Sequence, residues 1–161
     1  RPRVLLLFPP TGPRGNACFV LSFLACLHAS KVAVPLYPPD PRRRRGPAGS
    51  GKEMELLNRV AGETRADLVL TTTEYDRARR TVGRGLGWPP GLRWETCAES
   101  HLSAAPKKTE AKAKGTEPPS VPAGDAAAFV QYTSGSTSLP KGVVVTRSAL
   151  AHNLLLIVGE L

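Results

Sequence analysis

The chain has 161 residues, a mass of 17.2 kDa and a formal net charge of +9. Apolar side chains make up 41% of the residues, a share that excludes a wholly disordered chain. The 15 glycines and 16 prolines predict irregular loops between the ordered elements. The longest apolar run, residues 17–29, is shorter than the roughly 20 residues that cross a bilayer, so we predict a buried helix and no membrane span.

The cysteine content favours a reducing compartment. Cys18, Cys26 and Cys97 are odd in number and form no C-x-x-C pair. This pattern is typical of neither a disulfide framework nor a zinc site. No targeting segment is visible, since the apolar run at residues 4–8 is too short for a signal peptide. We therefore predict a cytoplasmic location.

Four arginines form one run at residues 42–45, and four lysines lie within residues 107–114. Neither run is interleaved with aromatic residues that could stack on bases. We therefore interpret the charge as solvated loop charge and predict no nucleic-acid partner. Nucleic-acid binding through the arginine run is the alternative, and it would show as a steep salt dependence of heparin retention.

The first third of the chain alternates between strand and helix patterns. Residues 4–8 form an apolar run closed by Pro9 and Pro10, typical of a strand buried on both faces. A helix follows from Asn16, with apolar residues at spacings of three and four. Residues 32–36 predict a second strand, which Pro35 would place at a sheet edge or a bulge.

The next elements continue this alternation. Residues 50–53, Ser-Gly-Lys-Glu, match a capping box ahead of a helix that ends near Thr64. Residues 67–71 predict a third strand, and residues 73–82 predict a polar surface helix. The order of elements predicts an α/β fold with right-handed crossovers, a mainly parallel sheet and flanking helices.

Periodicity is lost after Gly83 and returns at Ala126. We predict an α/β subdomain over 1–103, a flexible low-complexity linker over 104–120, and a final unit over 121–161. Trp88 and Trp94 are interpreted as packing residues. The final unit is predicted to hold a strand, a loop, a second strand at residues 142–146 and an amphipathic helix from residue 148, with an apolar stripe at Leu150, Leu154, Leu155 and Val158.

The loop between those two strands is rich in hydrogen-bond donors. It contains Thr133, Ser134, Gly135, Ser136, Thr137 and, after Ser138-Leu139-Pro140, Lys141. Backbone amides around a glycine can form an anion-binding concavity, hydroxyls can reach phosphate oxygens, and a lysine adds a point charge. The sequence therefore predicts a polyphosphate-binding loop. A Ser/Thr-rich turn without a ligand is the alternative.

Neither Walker-like stretch of the chain fits a P-loop. Residues 135–141 lack a glycine before Lys141, and a strand rather than a helix follows. Residues 46–52 read G-P-A-G-S-G-K, but Glu53 occupies the position of the magnesium-binding Ser or Thr, and no strand precedes the stretch.

Residues 130–141 resemble the AMP-binding signature of the adenylate-forming superfamily. Residues 36–39, Leu-Tyr-Pro-Pro, and the absence of glycine at Ser138 are similar to the fatty acyl-AMP ligase branch. The order LLLFPP, apolar helix, VAVPLYPP, helix, ADLVLTT and loop agrees with that family over almost the whole chain. The resemblance implies the partial N-terminal domain of such an enzyme, with the phosphate loop between two strands.

The resemblance also implies a chemistry. Such an enzyme activates a fatty carboxylate with ATP and Mg²⁺, releases pyrophosphate, and passes the acyl group to a carrier-protein phosphopantetheine or to CoA. By position, Thr133, Ser134, Ser136 and Thr137 would donate from hydroxyls, Gly135 would form the sharp turn, and Lys141 would contact the β/γ-phosphates. No catalytic residue and no ligand of Mg²⁺ is expected within these residues.

Two positions differ from common family residues. Arg147 stands where His is common, and Ser30-Lys31 replaces a small residue followed by glycine. We expect the chain to be a fragment that is inactive alone, and the apolar stripe at residues 154–158 predicts poor solubility or self-association. The alternative to a ligase fragment is a catalytically inactive, adenylation-like interaction module whose basic loops face an acidic partner.

Overall fold

A computed structural model describes residues 1–10, 12–42, 50–97, 125–133 and 140–159. The described strands are β1 Arg3–Leu7, β2 Val32–Pro35, β3 Leu68–Thr72, β4 Arg93–Cys97, β5 Ala127–Thr133 and β6 Lys141–Thr146. The described helices are α1 Gly12–His28, α2 Ser50–Thr64, α3 Thr73–Thr81 and α4 Arg147–Gly159. The predicted linker at 104–120 lies outside the described residues, and the division into 1–103 and 121–161 stays a prediction.

The six strands form one sheet in the order β4-β3-β1-β2-β5-β6. Pairing is parallel from β4 to β5, and β6 pairs antiparallel with β5. The predicted mainly parallel α/β fold is confirmed. Strand β2 lies on one side of β1, and the chain then crosses to β3 on the other side of β1. The direction in which successive strands are added therefore reverses between β1 and β3. Ligands of open α/β sheets bind at the carboxyl ends of the strands near such a point.

The central strand β1 is buried on both faces, as predicted. Val4 and Leu6 contact a cluster on the α1 face, whereas Leu5 and Leu7 contact a cluster on the other face. The α1-face cluster also contains Phe8, Cys18, Cys26 and Ala33, with Phe19, Phe23 and Phe129 packed against it. The Phe23 and Phe129 rings meet edge to face, with centroids 5.4 Å apart. This contact attaches β5 to α1 over a sequence separation that no local pattern encodes.

Helix α2 covers the opposite face of the sheet. Met54, Leu57, Val60 and Ala61 recur at helical spacing and are buried against β1, β2, β3 and β5. The helix ends at Thr64, as predicted, and Thr64 Oγ1 donates to the Val60 carbonyl at 2.6 Å. A helix with one apolar face is stabilised mainly by this tertiary packing.

Trp88 and Trp94 pack against the domain, which confirms their predicted role. Their rings are edge to face at 5.6 Å, and Trp88 meets Tyr75 of α3 in the same way at 6.2 Å. The Arg79 guanidinium lies 4.1 Å from the Trp94 ring centroid. Trp94 belongs to β4, a strand that the sequence analysis missed. This strand is half-exposed and polar, so it carries no apolar run.

Three expectations need correction. Helix α1 begins at Gly12 rather than Asn16, because Pro13 is compatible with the first turn of a helix. Strand β2 lies inside the sheet, between β1 and β5, and not at an edge. Pro35 is the last residue of the strand, and it lies two residues beyond Ala33, which pairs with Phe129 of β5 in the described residues.

The third correction concerns α4. The sequence predicts an amphipathic helix, but the five consecutive residues 154–158 are all apolar, so apolar side chains lie on every side of this part of the helix. None of its described residues is buried, and Leu155 is 73% exposed. The expected exposure of this segment is present, whereas self-association stays a prediction.

Candidate functional site

The candidate site is the mouth of the β5–β6 loop. In the antiparallel register Thr133 lies opposite Lys141, and Tyr132 lies opposite Gly142. The two ends of the predicted phosphate loop, Thr133 and Lys141, are therefore held as a directly opposed pair, and both are exposed. Ser134, Gly135, Ser136 and Thr137 lie outside the described residues, so their roles remain predictions.

The site lies at the carboxyl edge of the parallel strands. Strand β5 runs parallel to β1 and β2, so Thr133 shares an edge with the segments that follow those strands, 8–10 and 36–41. A cavity of about 590 Å³ opens beside the hairpin on the α1 side. Its lining includes the aromatic residues Phe8, Phe19, Phe23, Tyr37 and Phe129.

A second cavity, of about 610 Å³, lies where β1 and β3 end. Pro9 and Pro10 line it from the end of β1, and Thr72 and Tyr75 line it from β3 and α3. The Tyr75 hydroxyl donates to the Pro39 carbonyl at 2.6 Å and so holds the proline-rich segment against α3. Burial raises the pKa of this hydroxyl above its usual value, so it acts as a neutral donor.

Tyr132 connects the loop mouth to α2. Its hydroxyl donates to Glu63 Oε2 at 2.9 Å, and the Arg59 guanidinium donates to Glu63 Oε1 at 2.6 Å. Hydrogen bonds from Arg59 and then Tyr132 lower the pKa of Glu63 below its usual 4.5. Burial and the Glu63 carboxylate raise the pKa of Tyr132 to about 12. Near neutral pH the pair is therefore a neutral phenol donating to a carboxylate.

The far end of the hairpin is attached through Arg147. Its backbone amide donates to the Ala126 carbonyl at 2.9 Å, and its guanidinium donates to the Leu27 carbonyl in the last turn of α1 at 2.5 Å. A cation near a helix C-terminus is favourable because the last carbonyls lack partners within the helix. The residue that differs from the common histidine therefore has a structural role here.

The sequence predicts the loop but not the contact between Glu63 and Tyr132 beside it. Glu63 and Tyr132 are 69 residues apart, and the pattern of α2 gives no indication that Glu63 contacts Tyr132. Gly142 belongs to the recognisable Pro-Lys-Gly motif, so it could have been named. In the described part of the chain, no group of three or more His, Cys, Asp or Glu side chains could hold a metal ion. No Mg²⁺ ligand is therefore assigned.

The fold and the loop mouth define an α/β protein whose antiparallel hairpin presents a hydroxyl-rich loop at the carboxyl edge of a parallel sheet. The family described as AMP-binding enzyme matches residues 13–160, and the chain belongs to this family. The resemblance seen in the loop sequence is thereby confirmed. No described helix is both long and apolar enough to cross a membrane.

Two curated relatives are fatty-acid ligases. The medium-chain-fatty-acid–[acyl-carrier-protein] ligase JamA of Moorena producens is 28% identical over 152 residues, which are 94% of this chain and 22% of the relative. The long-chain-fatty-acid–AMP ligase FadD32 of Mycolicibacterium smegmatis is 30% identical over 159 residues, 99% of this chain and 22% of the relative. The chain thus spans about a fifth of the length of these relatives.

A solved structure shows the same relationship. The fatty acyl-adenylate ligase from L. pneumophila, in complex with acyl adenylate and pyrophosphate, matches with a TM-score of 0.60 and 28% identity. The match covers 95% of this chain and 22% of that one. The predicted architecture, the N-terminal part of an adenylate-forming enzyme, agrees with this neighbour.

Proposed function

We propose that this chain is the triphosphate-binding part of an ATP-dependent ligase that activates a fatty carboxylate as an acyl-adenylate. The observation that carries the proposal is the opposed pair Thr133–Lys141 at the ends of the hydroxyl-rich loop. Membership of the AMP-binding family supports the use of ATP. The two fatty-acid ligases among the relatives support a fatty-acid substrate, and the first, an acyl-carrier-protein ligase, also supports a carrier-protein acceptor. CoA is the alternative acceptor.

The proposed reaction places negative charge where the loop lies. A carboxylate oxygen attacks the α-phosphorus of ATP, a new oxygen–phosphorus bond forms, and the bond to the leaving pyrophosphate breaks. Charge grows on the leaving group during this step, so donors fixed around its oxygens lower the barrier. Lys141 supplies a full positive charge, and Thr133, Ser134, Ser136 and Thr137 supply hydroxyls around the turn at Gly135.

The geometry at the loop mouth suits this role. Cross-strand partners point to the same face of a hairpin, so the Thr133 hydroxyl and the Lys141 ammonium project to one side. Successive residues alternate between faces, so this side is opposite to that of Tyr132. Both side chains are exposed, which leaves them available to a ligand. Mg²⁺ would accompany ATP, with ligands that these residues do not supply.

Calorimetric titration of the chain with pyrophosphate and with Mg-ATP tests the proposal. We expect saturable binding that Lys141→Ala weakens about 10- to 150-fold, because a hydrogen bond to a charged group contributes roughly 1.5–3 kcal/mol. Lys52→Ala is the matched control, since it removes an equal charge from an exposed position on α2. Equal weakening by both substitutions would show attraction to bulk charge and contradict a specific loop.

An adenylation-like interaction module is the second candidate. Arg147 favours it, because the residue that replaces a common histidine holds α4 and the hairpin to the Leu27 carbonyl of α1. This candidate predicts that neither pyrophosphate nor Mg-ATP gives a binding heat, while the folded chain retains an acidic protein partner.

A further inference from the structure

The hairpin that carries the loop has limited backbone support at its loop end. Strand β6 pairs with β5 alone among the described strands, and the register pair between β5 and β2 is at Phe129, four residues before the loop. Beyond Phe129, the Tyr132 hydroxyl links β5 to helix α2 through its hydrogen bond to Glu63. The orientation of the loop mouth therefore depends on side chains.

Tyr132 also fixes the second strand of the hairpin. A Cβ atom built on Gly142 would lie 3.0 Å from Tyr132 Cζ, 3.2 Å from its hydroxyl oxygen and 3.1 Å from Val130 Cγ1. The Tyr132 ring thus packs against the backbone of β6 at Gly142, where any residue with a Cβ would crowd the ring. Because Gly142 directly follows Lys141, the ring defines the backbone position from which the lysine projects.

Glu63 in turn is held from its own helix. Arg59, one turn earlier in α2, donates to one carboxylate oxygen, and Tyr132 donates to the other. The hydrogen bond from Arg59 within α2 therefore orients the Glu63 carboxylate towards Tyr132. A chain of three side chains runs from the last two turns of α2 to the residue beside Thr133.

We propose that Glu63 and Tyr132 are positioning residues, which hold the hairpin so that Thr133 and Lys141 meet the phosphates of the nucleotide. This inference rests on the proposed function. A donor and a lysine that are already oriented bind an anion more tightly than mobile ones, because less conformational freedom is lost on binding. Neither positioning residue needs to contact the ligand.

A double-mutant cycle with pyrophosphate as the probe tests the inference. We expect Tyr132→Phe and Glu63→Ala each to weaken pyrophosphate binding by about 2- to 10-fold. The double variant should be no weaker than the single ones, because both substitutions break the same contact. Asp76→Ala is the control, since it removes a buried carboxylate that is paired with Arg79 and Arg80 of α3, away from the hairpin. It should lower the melting temperature and leave pyrophosphate affinity unchanged.

A second readout follows the contact itself. A carbon-detected NMR titration should give Glu63 a pKa below 4.5 in the wild type, and Tyr132→Phe should raise it. Wild-type affinity in both single variants, or fully additive losses in the double variant, would overturn the positioning role. Absence of pyrophosphate binding by the folded wild type would instead overturn the proposed function, and the inference with it.

Discussion

Replacing Ser30 by glycine should stabilise the protein. Ser30 has φ of +55°, in the left-handed region, and lies two residues after His28, the last residue of α1. The Ser30 amide donates to the Leu27 carbonyl at 3.3 Å, and the Lys31 amide donates to the Cys26 carbonyl at 2.9 Å. These two bonds form a Schellman motif, in which glycine is the usual residue at this position.

The size of the effect follows from two opposing terms. A left-handed conformation costs a residue with a Cβ roughly 1–2 kcal/mol. Glycine avoids this cost but loses about 0.5–1 kcal/mol of additional backbone entropy on folding. The expected gain for Ser30→Gly is therefore about 0.5–1 kcal/mol, which corresponds to roughly 1–4 °C in melting temperature for a chain of this size.

Thermal and urea unfolding followed by circular dichroism measure this gain. Ser30→Ala is the matched control, because it removes the hydroxyl but keeps the Cβ, and it should not stabilise. Arg65 follows α2 with φ of +48° and makes the same pair of backbone bonds, so Arg65→Gly should behave alike. If Ser30→Gly did not raise the free energy of unfolding, and Ser30→Ala gave the same value, the left-handed conformation at Ser30 would carry no energetic cost.

Three further predictions concern the packing. Gly142→Ala places a Cβ 3.0 Å from the Tyr132 ring and should lower the free energy of unfolding in urea by about 1–3 kcal/mol. Gly62→Ala is the control, because its Cβ would have no neighbour within 4 Å, and it should stabilise α2 by about 0.5–1 kcal/mol. Equal effects of the two substitutions would refute the close contact at Gly142. Tyr75→Phe should cost about 1–3 kcal/mol because it leaves a buried carbonyl without its donor, and a cost below about 0.5 kcal/mol would argue against that bond. Burial raises the pKa of Cys26 to about 11, so at pH 8 its thiolate fraction, and its rate of alkylation measured by mass spectrometry, should be about 100-fold below those of an ordinary thiol. Because the folded-state pKa is the higher one, the contribution of the neutral thiol to stability is complete below pH 9 and decreases as the pH rises towards 11; rapid labelling of Cys26 in the native protein at pH 8 would contradict its burial.

The elements that the sequence predicted well are those with strong local patterns. Strand β1 has a continuous apolar run, α2 has a helical apolar period, and the β5–β6 loop carries a dense motif. Strand β4 was missed because an edge strand needs little apolar character, and its pairing with β3 is a long-range event. Proline lacks an amide for the ladder, so Pro35 predicted an edge or a bulge, but it is the last residue of β2 and lies two residues beyond the Ala33–Phe129 pair.

In the candidate site, too, residues of a local motif could be predicted from the sequence, whereas long-range contacts could not. Thr133 and Lys141 could be named from the motif, since their residue types state their chemistry. The contact between Glu63 and Tyr132 could not, because it depends on the angle at which α2 crosses the sheet. The structural use of Arg147 was equally hidden, since its partner is a backbone carbonyl 120 residues earlier in the chain.

Amide NMR spectra recorded during titration with Mg-ATP give the most direct test of the central claim, that the β5–β6 loop grips the phosphates of a nucleotide. The account predicts saturable shifts that are largest for residues 133–142 and absent from α3. If the spectrum shows a folded domain in which the resonances of residues 133–141 do not move, or move no more than those of α3, the loop does not bind the nucleotide and the proposed function is wrong.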